Sequence, residues 1–204
     1  EKKMIKKRIL IITKNFLPYF QSIGGILRVL KLAEFLNNNE YHAVIMAAKG
    51  TKLGYFGYEE LIKKLDIRYI SDYFQKRDNL LNFKRSIETI SQNSHYRTLR
   101  TILHDFVIPD KGVVLIWKYV NASINLIREE NIDTVIISSP PFSMQIIGPI
   151  IKMIFKENVK LIADYRDGWN ISKINSKRYS ISKKLNFVME KIILHYSDFI
   201  TCVS

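Results

Sequence analysis

Residues 8–36 constrain the fold most, because they read as a buried strand, a glycine-containing loop and a helix in that order. The apolar run at residues 9–12 has the length and composition of a parallel strand that is covered on both faces. Gly24 and Gly25 stand just before apolar residues at helical spacing. Adjacent glycines at a helix start let backbone N–H groups approach an anion closely. This stretch therefore predicts an anion-binding loop, with a diphosphate as the expected ligand.

The rest of the chain repeats the alternation of strands and helices. Further strands are predicted at residues 42–48, 66–70, 133–138, 160–163 and 198–204, and helices at residues 59–65, 111–131, 142–156 and 181–196. The helix at residues 142–156 is expected to start from a serine cap with proline in its first turn and to kink at Gly148-Pro149. The alternation predicts an α/β fold: a Rossmann-like, doubly wound parallel sheet of about six or seven strands, with helices on both faces and strand order 3-2-1-4-5-6.

Composition narrows the partners and the compartment. The 204 residues contain 32 Lys and Arg against 19 Asp and Glu, a net charge of +13, so an anionic partner is expected. The single cysteine, Cys202, cannot form an internal disulfide, which favours the cytoplasm. No apolar run reaches the roughly 18 residues of a membrane span, and no cleavage-site pattern follows the basic start. The length predicts a single domain over residues 1–204.

Three marked segments fall at the carboxyl ends of predicted strands, the edge at which doubly wound sheets bind ligands. They are Gly24-Gly25, the segment that contains Pro141 and Ser143, and the cluster at residues 164–169. In that cluster Asp164 and Asp167 can accept protons or orient hydroxyl groups, and Arg166 can hold an anion. The alternative for the acids is an internal Asp–Arg pair that caps the loop, and for the glycines a tight turn without a ligand.

Other ligand classes fit the sequence less well. The loop lacks the G-x-G-x-x-G pattern, and the second strand ends without an acid for a ribose, which argues against NAD. Lys49 could meet a 2′-phosphate, so an NADP-binding domain is one alternative. The cysteine and histidines do not have the spacing of a metal site or of a catalytic triad, and no metal is expected. A basic nucleic-acid-binding module, suggested by the pI near 9.7, and a non-catalytic α/β domain are further alternatives.

Several motifs together resemble one enzyme family. PYFQSIGGILRVLKLAEFL, DTVIISSPPFS and the terminal SDFITCVS are similar to the amino-terminal domain of GT-B glycosyltransferases of family 4, the "glycosyl transferase group 1" enzymes. LIADYRDGW resembles the D-x-R-D-x-W element of a subgroup that acts in surface-polysaccharide synthesis. The resemblance covers nearly the whole chain apart from the basic and aromatic region at residues 53–109.

The resemblance implies a retaining hexosyltransferase of two domains, which moves a sugar from a nucleotide-diphosphate donor to a hydroxyl acceptor without a metal or other cofactor. This chain would be the acceptor-side domain. The nucleotide-sugar domain, with its paired glutamates, would lie beyond residue 204, so the isolated domain is expected to be inactive. The implied site residues are Gly24 and Gly25 at the donor phosphates, Asp167 and Asp164 in catalysis, and Arg166, Trp169, Pro141 and Ser143 on the acceptor side.

The expected partners are therefore a nucleotide sugar and a glycan or lipid-linked acceptor, and no nucleic acid. Residues 96–107 carry an apolar stripe at helical spacing with basic residues beside it. A surface helix packed on the sheet is the simpler interpretation of this stripe, and a face that binds an anionic membrane surface or nucleic acid is the alternative. A lipid-linked acceptor, as in lipopolysaccharide synthesis, would place the enzyme peripherally at the inner face of the cell membrane.

Overall fold

The computed structural model describes residues 6–20, 23–50, 52, 57–72, 108–170 and 180–202. The strands are β1 (Lys7–Ile12), β2 (Tyr41–Lys49), β3 (Asp66–Ser71), β4 (Thr134–Ser139), β5 (Lys160–Tyr165) and β6 (Phe199–Cys202). The helices are α1 (Ile23–Asn38), α2 (Glu59–Lys63), α3 (Ile116–Glu130), α4 (Ile147–Phe155) and α5 (Ser180–Tyr196). Short 3₁₀ helices cover Lys111–Leu115, Phe142–Ile146 and Lys156–Asn158. The amphipathic stripe predicted at residues 96–107 lies outside the described residues.

The strands form one parallel sheet in the order β3-β2-β1-β4-β5-β6. This arrangement confirms the predicted Rossmann-like α/β fold and its strand order. β1 lies in the middle of the sheet, with β2 on one side and β4 on the other. The chain changes direction of travel across the sheet between these two neighbours, so the carboxyl ends of β1 and β4 border the crevice in which such sheets bind ligands.

Burial on both faces explains the continuous apolar sequence of the central strand. Side chains alternate across a strand, so Leu10 and Ile12 of β1 enter one core layer while Ile9 and Ile11 enter the other. The first layer is completed by α3 and α4, and the second by α1 and α2. A strand with one face in water would alternate apolar and polar residues, which this stretch does not.

A smaller cluster completes the sheet near β5. Tyr165 packs with Trp169 of the following loop and with Ile193 of α5. The cluster therefore attaches α5 to the same face of the sheet that α3 and α4 cover. None of the helices within the described ranges is long and apolar enough to cross a membrane.

The segment at residues 142–156 differs from the single helix predicted for it. It begins as the 3₁₀ helix Phe142–Ile146, and α4 follows from Ile147. Pro149 consequently lies in the first turn of α4, where its missing N–H removes no intrahelical hydrogen bond. The kink expected at Gly148-Pro149 stays a prediction, and the change of helix type occurs upstream of it, between Ile146 and Ile147.

The fifth strand is longer than predicted. The apolar pattern predicts a strand at residues 160–163, whereas β5 continues through Asp164 and Tyr165. These two residues pair in register with Ser138 and Ser139 of β4. Asp164 therefore belongs to the sheet itself, and the loop begins only at Arg166.

Asn131 ends α3 in the left-handed conformation, with φ 50° and ψ 48°. This conformation costs most residues with a Cβ about 1–2 kcal/mol, whereas asparagine and glycine adopt it readily. We expect Asn131→Gly to preserve or raise the free energy of unfolding and Asn131→Ala to lower it by about 1 kcal/mol, measured by chemical denaturation. Asn125→Ala, an exposed change inside α3, is the control and should not destabilise the protein. Equal losses in the two alanine variants would contradict the assignment of the cost to the left-handed cap.

Candidate functional site

The carboxyl edge of the sheet brings the three predicted segments to one side of the molecule. α1 starts after β1, the 3₁₀ helix Phe142–Ile146 follows β4, and Arg166 and Asp167 follow β5. Because β1, β4 and β5 are consecutive neighbours in the parallel sheet, the segments that follow them share one edge. The structure thus places all the predicted site residues around this edge, in very different environments.

The carboxylate of Asp164 is buried and accepts hydrogen bonds from three other elements. Arg28 Nη2 of α1 donates to Oδ1 over 2.5 Å, and Thr201 Oγ1 of β6 donates to the same oxygen over 2.6 Å. Ser138 Oγ of β4 donates to Oδ2 over 2.8 Å. A buried carboxylate is tolerated only when it is paired in this way. The two carboxylate oxygens therefore face partners inside the protein.

The backbone of the same residue is also held. The carbonyl oxygen of Asp164 accepts hydrogen bonds from Ser139 Oγ, over 3.2 Å, and from Gln145 Nε2, over 3.3 Å. Gln145 Nε2 also donates to the carbonyl oxygen of Ile137, over 2.7 Å. Gln145 was not singled out in the sequence, although a lone amide within an apolar stretch is a signal that its partners lie in the core.

Arg166 contacts the start of α1 through its guanidinium group. A Cβ built on Gly25 would lie 1.1 Å from Arg166 Nη1 and 2.4 Å from its Cζ. The guanidinium therefore occupies the space that the missing side chain of Gly25 leaves. Gly25 is needed for this contact, rather than for an unusual backbone angle.

Gly24 plays a different part from its neighbour. It is exposed, and a Cβ added to it would meet no atom within 4 Å in the described part of the chain. Gly24 is therefore exposed on the side where a Cβ would stand. Of the two predicted phosphate-loop glycines, one is covered by an arginine and the other faces open space.

Asp167 contrasts with Asp164 in exposure and in partners. Its side chain is 62% exposed, and Oδ2 lies 3.9 Å from Arg166 Nε, a loose ion pair at the surface. The side chain of Asp164 is 5% exposed. Of the two acids, Asp167 is the one that an external hydroxyl group can reach directly.

Ser143 is buried and has a structural contact that the sequence did not predict. Its hydroxyl donates to Oδ1 of Asp110 over 2.6 Å, and its backbone N–H donates to Oδ2 over 3.1 Å. The 3₁₀ helix that contains it has Pro141 as its N-cap, with no side-chain cap from that residue. The predicted serine cap is therefore wrong, and the carboxylate of Asp110 caps this helix start. The acceptor-side roles predicted for Pro141 and Ser143 stay predictions.

Trp169 lies in the interior beneath the edge. Its ring stacks on Phe142, with centroids 5.2 Å apart and an angle of 11° between the planes. Trp169 Nε1 donates to Oδ1 of Asn186 in α5 over 3.1 Å. The indole is 1% exposed, so its predicted contact with an acceptor stays a prediction and its observed role is to pack the loop against α5.

Tyr165 turns its hydroxyl toward α5 instead of α1. The hydroxyl is buried and has no hydrogen-bond partner among the described residues. Burial raises the pKa of Tyr165, and the nearby charge of Glu190 adds to the rise. Burial also raises the pKa of Glu190, against the hydrogen bond that it accepts from Asn170 Nδ2. Both groups are therefore held toward their neutral forms on the side of β5 away from Arg166.

A cleft of about 430 Å³ lies at the opposite, amino edge of the sheet. It is lined by the start of β1, the end of α3 and Asp133. Arg8 and Arg68 both contact Glu130, and Arg68 also contacts Asp66. The cleft also contains the charged residues Lys6, Lys7, Glu129 and Asp133, and it is remote from the three predicted segments.

The contrast between the two acids gives a test by stability. We expect Asp164→Ala to lower the free energy of unfolding by about 3–5 kcal/mol, because it leaves the charge of Arg28 and two hydroxyl groups without their acceptor. Asp167→Ala is the matched control and should change it by less than about 0.5 kcal/mol, as is usual at an exposed position. Chemical denaturation of the two variants measures the difference. A small effect of Asp164→Ala would contradict the structural role of its carboxylate.

Comparison with known proteins leaves the family of this chain open. No protein-family model matches it, and no curated protein matches it. A glycosyltransferase from Rickettsia africae is similar in structure, with 19% identity and a TM-score of 0.44 over 98% of this chain and 43% of that one. A protein of unknown function from Vibrio parahaemolyticus has 8% identity and a TM-score of 0.42, over 98% of this chain and 94% of that one. The chain thus spans less than half the length of the Rickettsia enzyme.

Proposed function

We propose that this chain is the acceptor-side domain of a glycosyltransferase, which moves a sugar from a nucleotide-diphosphate donor to a hydroxyl acceptor. The observation that carries the proposal is the guanidinium of Arg166, which lies against Gly25 beside the exposed Asp167. The edge of the sheet that holds them is the one at which doubly wound folds bind ligands. A cation at a fixed place suits a leaving diphosphate, and a free carboxylate suits an attacking hydroxyl group.

Each residue has a stated part in this proposal. The exposed backbone at Gly24 and the guanidinium of Arg166 face the donor phosphates, whose negative charge increases as the bond to the sugar breaks. Asp167 accepts a hydrogen bond from the acceptor hydroxyl and directs its oxygen toward the sugar carbon. The transfer retains the configuration at that carbon. Positioning of the two substrates supplies the rate increase, and no metal or other cofactor is part of the proposal.

The nucleoside of the donor is assigned to a second domain, as in the family that the motifs resemble. The end of β2, where dinucleotide-binding folds hold a ribose, offers the exposed Lys49, and the neighbouring Asp72 is buried and pairs with Lys14. The proposed active enzyme therefore contains more than these 204 residues. Its acceptor is a glycan or a lipid-linked sugar of a surface polysaccharide or lipopolysaccharide.

The proposal is tested in the complete enzyme by Asp167→Asn, which removes the negative charge while keeping the size of the side chain. We expect turnover to fall by roughly 10²–10⁴-fold, the usual contribution of a positioned acid or base, with the unfolding midpoint unchanged. The measurement is release of nucleoside diphosphate from a panel of nucleotide sugars. Asp133→Asn, at an exposed position before β4, is the control and should retain full turnover. Wild-type activity in Asp167→Asn would remove Asp167 from the reaction.

We also propose that the domain binds an anionic membrane surface, where a lipid-linked acceptor would be found. α5 supports this, because exposed apolar residues recur at helical spacing along it: Ile181, Leu185, Val188 and Ile192. Lys183, Lys184 and Lys191 are exposed on the same helix. Apolar and basic side chains together on one exposed helix suit the interface of a membrane with acidic lipids.

Vesicle sedimentation tests this location. We expect the chain to sediment with phosphatidylglycerol vesicles at low salt and to remain in solution with phosphatidylcholine vesicles. Replacing Lys183, Lys184 and Lys191 by glutamine should abolish the difference, because each basic residue near the surface contributes about 1 kcal/mol. Replacing the exposed Lys63, Lys156 and Lys160 removes the same charge elsewhere and is the control. Equal loss of vesicle binding in both triple variants would show that net charge alone causes the binding. A steep, salt-dependent affinity for RNA would instead favour the nucleic-acid-binding alternative.

A further inference from the structure

We infer that Arg28 and Asp164 are positioning residues, which hold the guanidinium of Arg166 over Gly25 so that it contacts the diphosphate. The inference rests on the proposed function for the identity of the anion. In this inference Asp164 does not contact the substrates. Arg28, which the motifs did not mark as part of the site, acts through Arg166.

Two contacts join α1 to β5, and they lie on matching faces. Gly25 and Arg28 are three residues apart, which places them on one face of α1. Asp164 of β5 and Arg166, the first residue after this strand, are two residues apart, which suits one side of the chain as it leaves the sheet. Arg28 crosses from the helix to Asp164 of the strand, and Arg166 crosses from the strand side to Gly25 of the helix. The two contacts are therefore consecutive links between the same two elements.

The contact between Arg28 and Asp164, called the inner link, is held by further hydrogen bonds. The carboxylate of Asp164 is buried and receives Ser138 of β4 and Thr201 of β6 as well as Arg28. Movement of Arg28 away from this carboxylate would leave a buried charge without its counter-charge, which is strongly unfavourable. The inner link therefore fixes the distance between α1 and β5 one helical turn away from Gly25.

The contact between Arg166 and Gly25, called the outer link, depends on the distance between α1 and β5. The side chain of Arg166 is 26% exposed; it makes a loose contact with Asp167 and fills the space beside Gly25. A long side chain loses much rotamer freedom when it is confined, so its position depends on the surfaces that confine it. The start of α1 is one of those surfaces, and Arg28 holds it in place.

The inner link also controls the charge near the site. Arg28 lies one helical turn after Gly25, and Arg166 lies against Gly25. Two guanidinium groups placed in this way would repel each other if neither were neutralised. Asp164 neutralises Arg28 within the protein. The pair leaves the guanidinium of Arg166, which lies against Gly25, without a close carboxylate partner among the described residues other than the exposed Asp167 at 3.9 Å.

Calorimetric titration of the chain with inorganic pyrophosphate at low salt tests the inference. Gly25→Ala places a methyl group where Arg166 Nη1 lies, without disturbing the core, and Arg166→Gln removes the charge. We expect each to weaken pyrophosphate binding by about tenfold or more, the value of one charge-assisted contact, with no loss of thermal stability. Arg128→Gln, at an exposed position near the end of α3, is the matched control and should bind as the wild type does.

Variants of Arg28 separate positioning from general stability. Arg28→Met should weaken pyrophosphate binding several-fold, about as one charge-assisted contact does, whereas Arg28→Lys, which keeps the charge, should retain most of the affinity. Wild-type affinity in Gly25→Ala would overturn the inference even if Arg28→Met fails to fold. Equal losses in Arg28→Met and Arg28→Lys would also overturn it, as would failure of the wild-type chain to bind pyrophosphate.

The outcomes distinguish the inference from the proposed function. Loss of pyrophosphate binding in Gly25→Ala and Arg166→Gln, together with no sugar transfer by the complete enzyme, would support the anion site and overturn the glycosyltransferase. Sugar transfer by the complete enzyme, together with an unchanged KM for the nucleotide sugar in Gly25→Ala, would support the glycosyltransferase and overturn the inferred role of Arg166. An unchanged KM in that variant places the diphosphate away from Arg166.

Discussion

The buried carboxylate of Asp164 is the interaction on which the carboxyl edge of the sheet depends. A charged group in the interior is unfavourable unless donors surround it, and here the donors come from α1, β4 and β6. These elements are far apart in the sequence and meet only in the folded protein. The carboxylate therefore acts as a connection between a helix and three strands, and its environment is complete only when all of them are in place.

The pleat of β5 separates two environments within three residues. Asp164 and Arg166 face α1, where charged side chains cross between the helix and the strand. Tyr165 faces the other way, into the aromatic cluster with Phe142 and Trp169. The side toward α1 thus carries the polar groups of the candidate site, and the side toward α5 supplies a packed support behind it.

The sheet could be predicted from the sequence because its signals are local. Each strand is an apolar run of suitable length, each helix shows its own periodicity, and the alternation of the two leaves few topologies. The location of the site followed from that topology. The partners of its residues did not follow, because the contact of Gly25 with Arg166, and that of Ser143 with Asp110, joins segments distant in the chain. The apolar run predicts a strand that ends at residue 163, and the three donors to the Asp164 carboxylate explain why the strand continues through this acid.

The two acid–arginine pairs of the site differ in a way that bears on the proposed reaction. The pair between Arg28 and Asp164 is short and its carboxylate is buried, so water and salt weaken it less than they weaken a surface pair. The pair between Arg166 and Asp167 is 3.9 Å long and its carboxylate is exposed, so an incoming anion competes with it easily. In the proposed reaction, a diphosphate that takes the guanidinium of Arg166 frees the carboxylate of Asp167 for the acceptor hydroxyl. The same loose ion pair thereby links occupation of the donor side to readiness of the acceptor side.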